Sequence, residues 1–84
     1  MFKLYPNPVV NNSIINLQIK NTGKYQMQLL DNQSRLVQAE EINVDAKNTT
    51  TQIQLQSNIA AAMYYLRLIN EQIKKQYTEK PIIQ

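Results

Sequence analysis

The residue types that could do chemistry in this chain are few, because it contains neither histidine nor cysteine. Without His, no side chain titrates near neutrality to serve as a general base, and the commonest metal ligand is missing. Without Cys there is no thiol nucleophile, no thiolate ligand and no disulfide. Catalysis would have to rest on paired carboxylates. Glu40 and Glu41 are adjacent, and neighbours on a strand point to opposite faces. The chain is therefore expected to be no enzyme, with no catalytic residue, no cofactor and no metal site.

The remaining conspicuous residues suit recognition or turn geometry. Tyr5-Pro6-Asn7-Pro8 sets two prolines around one asparagine. Each proline fixes its own φ, donates no N–H and pushes the preceding residue out of the helical region. A stiff, extended peg is expected there. Asp31 to Arg35 has the composition of a hairpin turn, with Asp31 accepting nearby backbone N–H groups. Asp31 and Arg35 are either a recognition pair on the hairpin tip or turn chemistry with a weak ion pair. Lys74, Lys75 and Lys80 read as a solvated face, or as charges that keep an edge strand from pairing with another chain. Three triplets fit the glycosylation pattern: Asn11-Asn12-Ser13, Asn32-Gln33-Ser34 and Asn48-Thr49-Thr50. Such triplets are expected by chance in an Asn-rich chain, and they carry no weight here.

The elements that must position these residues are strands. Ile15, Leu17 and Ile19 alternate with polar residues, as do Tyr25, Met27 and Leu29, and Ile53 and Leu55, while Tyr64, Leu66 and Leu68 alternate with Tyr65, Arg67 and Ile69. This period of two marks half-buried strands. Phe2 to Tyr5 forms a first short strand. Val9 to Ser13 reads as a turn, and Arg35 to Gln38 returns from the hairpin with an extension through Ile42 and Val44. Asn58 to Ala62 is expected to be a crossing loop, and Ile73 to Ile83 a final strand broken or edged by Pro81. Gly23, the only glycine, is expected to adopt positive φ. Tyr64 is expected to sit in the core with its hydroxyl tying down a neighbouring loop, as in a tyrosine corner. No segment keeps a helical period.

With 84 residues the chain is one small domain, 1–84. The pattern is all-β: a small antiparallel β-sandwich of about seven short strands. Aromatics are 7% and Trp is absent, so the core must be mainly aliphatic and thin. No small-molecule substrate is expected from a core of that kind. The net charge of +3 is spread out apart from Lys74-Lys75. Nucleic-acid binders of this size carry a denser basic stripe, so no nucleic-acid partner is expected.

Several of these features fall into one order. Tyr5-Pro6-Asn7-Pro8 opens the chain, and Asp31-Asn32-Gln33-Ser34-Arg35-Leu36-Val37 forms a central hairpin. Ile59-Ala60-Ala61-Ala62-Met63-Tyr64-Tyr65-Leu66-Arg67-Leu68 follows, and Lys80-Pro81-Ile82-Ile83-Gln84 closes the chain. In that order the chain resembles the C-terminal sorting domain of the type IX (Por) secretion system of Bacteroidota. Ser34 and Ala62 stand where that family usually has Gly, and Pro81 enters its final apolar run. Either Ser34 is left-handed at some cost, or Asn32 takes the positive φ.

The resemblance implies an immunoglobulin-like sandwich that directs an N-terminally fused cargo across the outer membrane. It implies recognition by the outer-membrane translocon and removal by a sortase-like peptidase, the cargo ending secreted or at the cell surface by way of the periplasm. The chain would then be a piece of a larger secreted precursor. The site residues it implies are Tyr5, Pro6, Asn7 and Pro8, then Asp31 and Arg35, then Lys80, Pro81, Ile82, Ile83 and Gln84. The terminal residues would present an open edge for strand addition. A weak homodimer through an edge strand is also compatible with the pattern. The alternative reading is an adhesion or carbohydrate-binding module, for which Tyr65 and Tyr77 are the candidate aromatics.

Overall fold

Burial with a period of two builds the strands. In a computed structural model that describes residues 2–10 and 13–84, β2 (Ile14–Ile19) buries Ile15, Leu17 and Ile19. β3 (Gly23–Leu30) buries Tyr25, Met27 and Leu29, and β7 (Tyr65–Asn70) buries Leu66, Leu68 and Asn70. β4 (Leu36–Val44) and β5 (Thr49–Gln54) are more polar, and each places an isoleucine inside, Ile42 and Ile53. β1 (Phe2–Tyr5) and β8 (Lys75–Glu79) lie at edges. Two very short strands, β6 (Ala62–Met63) and β9 (Ile82–Ile83), complete the set among the described residues.

These strands form a three-stranded sheet ordered β1-β2-β5 and a four-stranded sheet ordered β4-β3-β7-β8, while β6 and β9 pair separately. All strand pairs are antiparallel. The chain changes sheet between β2 and β3, between β4 and β5, and again between β5 and β7. One cluster of buried side chains draws on both sheets, from Ile15, Leu17 and Ile19 on one side to Met27, Leu29, Leu66 and Leu68 on the other. Each such aliphatic side chain contributes roughly 1.5–3 kcal/mol by leaving water. The all-β expectation is met.

Polar side chains tie the layers together. Gln38 is 6% exposed on β4. Its Nε2 donates to the Gln54 carbonyl at 2.9 Å and its Oε1 accepts from Gln56 N–H at 3.1 Å, so it bridges from the second sheet to the end of β5 in the first. A register shift at Leu29 and Leu30 leaves both leucines buried in succession. A bulge of this kind re-aims the chain, and it sits just ahead of the central hairpin.

Three local expectations need correction. The chain from Pro6 to Pro8 bends rather than running extended, and both Tyr5-Pro6 and Asn7-Pro8 are cis. Val9 is no mere turn residue: it is fully buried and bridges Ile83 in parallel register. Asn11 and Asn12, assigned to the same turn, lie outside the described residues. The final strand is not continuous from Ile73 to Ile83. Ile73 is exposed in a turn, Lys74 takes φ 60°, and pairing on β7 runs only from Lys75 to Glu79. After Pro81, which has no N–H to give the ladder, the chain leaves that sheet and pairs with β6 instead.

Candidate functional site

The Asp31 hairpin is built by one carboxylate. Asp31 Oδ1 accepts from the N–H groups of Gln33 and Arg35, both at 2.9 Å. Its Oδ2 accepts from Arg35 Nε at 2.8 Å. The backbone closes the turn through Asp31 N–H to the Arg35 carbonyl at 2.9 Å and Ser34 N–H to the Asp31 carbonyl at 3.0 Å. The Arg35 N–H, foremost among these donors, holds the Asp31 carboxyl below its ordinary value of 3.8. Ser34 takes the left-handed position, with φ 64°. Asp31 is thus first of all a turn builder, while the Arg35 side chain, 72% exposed, is presented to solvent.

The proline segment and the chain's last residues meet. Asn7 Oδ1 accepts from Ile82 N–H at 3.1 Å, across 75 positions of sequence. Val9 N–H donates to the Ile82 carbonyl at 2.7 Å, and Gln84 N–H donates to the Val9 carbonyl at 2.8 Å. On its other flank β9 pairs with β6, Ala62 opposite Ile83 and Met63 opposite Ile82. The terminal strand is therefore no open edge: both flanks already carry backbone partners, which removes the expected surface for strand addition. Ala62 is an exposed residue of β6. Pro81 and Ile83 are buried, whereas Lys80, Ile82 and Gln84 are exposed.

Tyr64 links this cluster to the hairpin. Its ring is 4% exposed, its hydroxyl donates to the Ala60 carbonyl at 2.6 Å, and its N–H donates to the Pro81 carbonyl at 2.9 Å. The expected tyrosine corner is present. An open groove of about 440 Å³ is lined by Asp31, Arg35, Val37, Ile59, Ala60 and Tyr64. A second, of about 290 Å³, is lined by Leu4, Tyr5, Asn7, Glu79, Lys80 and Pro81 among others. All three groups of expected site residues thus lie at one end of the sandwich. The register agrees: Leu30, just ahead of the hairpin, opposes Tyr65, and Leu66 opposes Glu79. The far end carries a different set, with Lys24 Nζ 3.6 Å from Glu41 and 4.0 Å from Glu71.

Sequence reasoning missed Val9 and Gln38 as organising residues, while the composition of Asn70-Glu71-Gln72 already reads as a turn. Asn70 Oδ1 accepts from the N–H groups of Gln72 and Ile73, at 3.0 and 3.3 Å, and so shapes the β7–β8 turn. An asparagine directly before a turn is the signal for it. The two carboxylates at Glu40 and Glu41 do not converge. Glu40 accepts from Gln38 Nε2 at 2.9 Å, and Glu41 faces Lys24. Nor do Tyr65 and Tyr77 form a platform. Tyr77 opposes Leu68 and packs against the core, while Tyr65 precedes the inward Leu66.

No curated protein and no solved structure matches the chain. The family of secretion system C-terminal sorting domains matches it over residues 3–84.

Proposed function

The chain belongs to the C-terminal sorting domains of type IX secretion, and from that premise we propose that the end carrying Tyr5–Pro8, Asp31–Arg35 and Lys80–Gln84 is the face the export machinery reads. The domain is the sorting signal that sends a fused cargo out through the outer membrane, a non-catalytic tail recognised by the type IX machinery. On this reading the whole of 1–84 acts as one immunoglobulin-like unit. The outer-membrane translocon recognises it folded, and a sortase-like peptidase severs it in the chain ahead of Tyr5. The cargo is then released or attached at the surface.

The observation that supports this most is the contact of Asn7 with Ile82. It draws the segment nearest the cargo and the final strand into a single surface. Beside exposed neutral polar residues such as Asn7, Asn32, Gln33 and Gln84, this end exposes Tyr5, Arg35, Lys80 and Ile82, basic, aromatic and apolar groups suited to a protein partner with an acidic and apolar face.

The test is a fusion of these residues to the C-terminus of a periplasm-targeted fluorescent reporter. Reporter outside the cell in a type IX-competent strain, and inside in a matched strain without the translocon, supports the proposal. Retention in both strains overturns it.

A further inference from the structure

The side chain of Asn7 does what the backbone at that point cannot. Val9 and the terminal strand form a short parallel ladder, with Val9 N–H on the Ile82 carbonyl and Gln84 N–H on the Val9 carbonyl. One step earlier the Ile82 N–H needs an acceptor where the chain bends from Pro6 to Pro8 and leaves strand geometry. The Asn7 amide fills that step by accepting from Ile82 N–H at 3.1 Å. Three consecutive bonds therefore fasten the last residues to the segment through which the cargo chain enters. Without them, the only backbone pairing of β9 would be its two residues against β6, beside the burial of the Ile83 side chain, and chain ends less well tied down lose order.

From this geometry we infer that Asn7 is a positioning residue for export. It fixes the backbone of Ile82–Gln84 so that the signal is one discontinuous surface made from both ends of the domain, rather than a linear tail. The inference rests on the reading of this end as the recognised face.

The experiment uses the complete domain behind the reporter, with Asn7→Ala, Asn7→Asp and Asn70→Ala. Asn7→Asp retains an oxygen that can accept from Ile82. Asn70→Ala weakens the β7–β8 turn at the far end and controls for stability loss alone. Backbone hydrogen exchange at Ile82 and Gln84 is read on the same domain. Asn7→Ala is expected to speed exchange at Ile82 and Gln84 by on the order of five- to tenfold, the equivalent of one lost hydrogen bond. Export is expected to fall by a similar factor, with Asn7→Asp restoring both. Asn70→Ala is expected to lower the melting temperature yet export normally.

Unchanged exchange at Ile82 in Asn7→Ala overturns the clasp. Unchanged export with faster exchange overturns its role in sorting, as does failure of Asn7→Asp to restore export. An equal loss of export in Asn70→Ala reduces the effect to general stability and overturns it too. A wild-type fusion that stays inside the cell overturns the sorting face itself, while the exchange measurement still reports on the clasp.

Discussion

Replacing Tyr64 by Phe removes one oxygen and tests how the loop ahead of β7 is held. The hydroxyl donates to the Ala60 carbonyl at 2.6 Å from a ring that is 4% exposed. The ring remains, so burial is unchanged and the cost is that of the hydrogen bond. A net bond contributes about 0.5–1.5 kcal/mol, and an acceptor left buried without a partner costs about 1–3 kcal/mol. Ala60 itself is exposed, so water can reach part of its carbonyl, and the expected loss is about 1–2 kcal/mol. A domain of this length holds only about 4–13 kcal/mol in total, and each kcal/mol moves its melting temperature by about 4–8 °C. Thermal unfolding followed by circular dichroism should therefore show a drop of about 4–16 °C. The Tyr64 N–H bond to Pro81 survives the substitution, so the fold should persist. Tyr65→Phe, at the neighbouring first position of β7 and facing outward, serves as the control. A Tyr64→Phe domain that melts within a degree or so of wild type would refute the claim that this hydroxyl anchors the loop.

Other substitutions follow the same logic. Ser34→Gly should stabilise the domain by about 0.5–1 kcal/mol, since relief of the left-handed strain outweighs the added chain entropy; a lower melting temperature would contradict this. Gln38→Ala should destabilise by about 1–3 kcal/mol, because the Gln54 carbonyl and Gln56 N–H each lose a partner, and urea unfolding measures it. Asp31→Asn should show a pH-dependent deficit. The folded carboxyl is held below 3.8, so its contribution is present above that value and fades as pH falls through the folded value. The gap between wild type and Asp31→Asn should be widest above about pH 5 and close in stronger acid, as read by melting temperature across pH.

What was legible in the sequence is what simple periodicity encodes. Ile15-Leu17-Ile19 and Leu66-Leu68 alternate cleanly because each strand buries one face and wets the other, so β2 and β7 stood out. The Asp31 turn was legible because an Asx side chain bonding the backbone ahead of it is a local device. Tyr64 was legible because it sits at the start of an alternating strand after a small-residue loop. The burial of Val9 was hidden, since its partner Ile83 lies at the other end of the chain and one buried residue has no period. Gln38 was hidden for a related reason: an amide looks like a surface residue until its partners at Gln54 and Gln56 are known. The division of the final strand turned on Lys74 taking positive φ and on β9 finding β6, and neither is local information. For the site, the three groups of residues were each visible, but their meeting at one end was not. That meeting depends on a contact spanning almost the whole chain.

The most direct measurement compares export of the reporter fusion after single exposed changes at the two ends of the sandwich. Tyr5→Ala, Arg35→Ala, Lys80→Ala and Ile82→Ala alter the end where the chain termini meet, and Lys24→Ala and Glu71→Ala alter the far end. If that first end is the recognised face, its variants lose export several-fold with melting temperatures near wild type, as truncations of exposed interface residues do, while the far-end variants export normally. Equal export by all six, or losses confined to Lys24→Ala and Glu71→Ala, would contradict it.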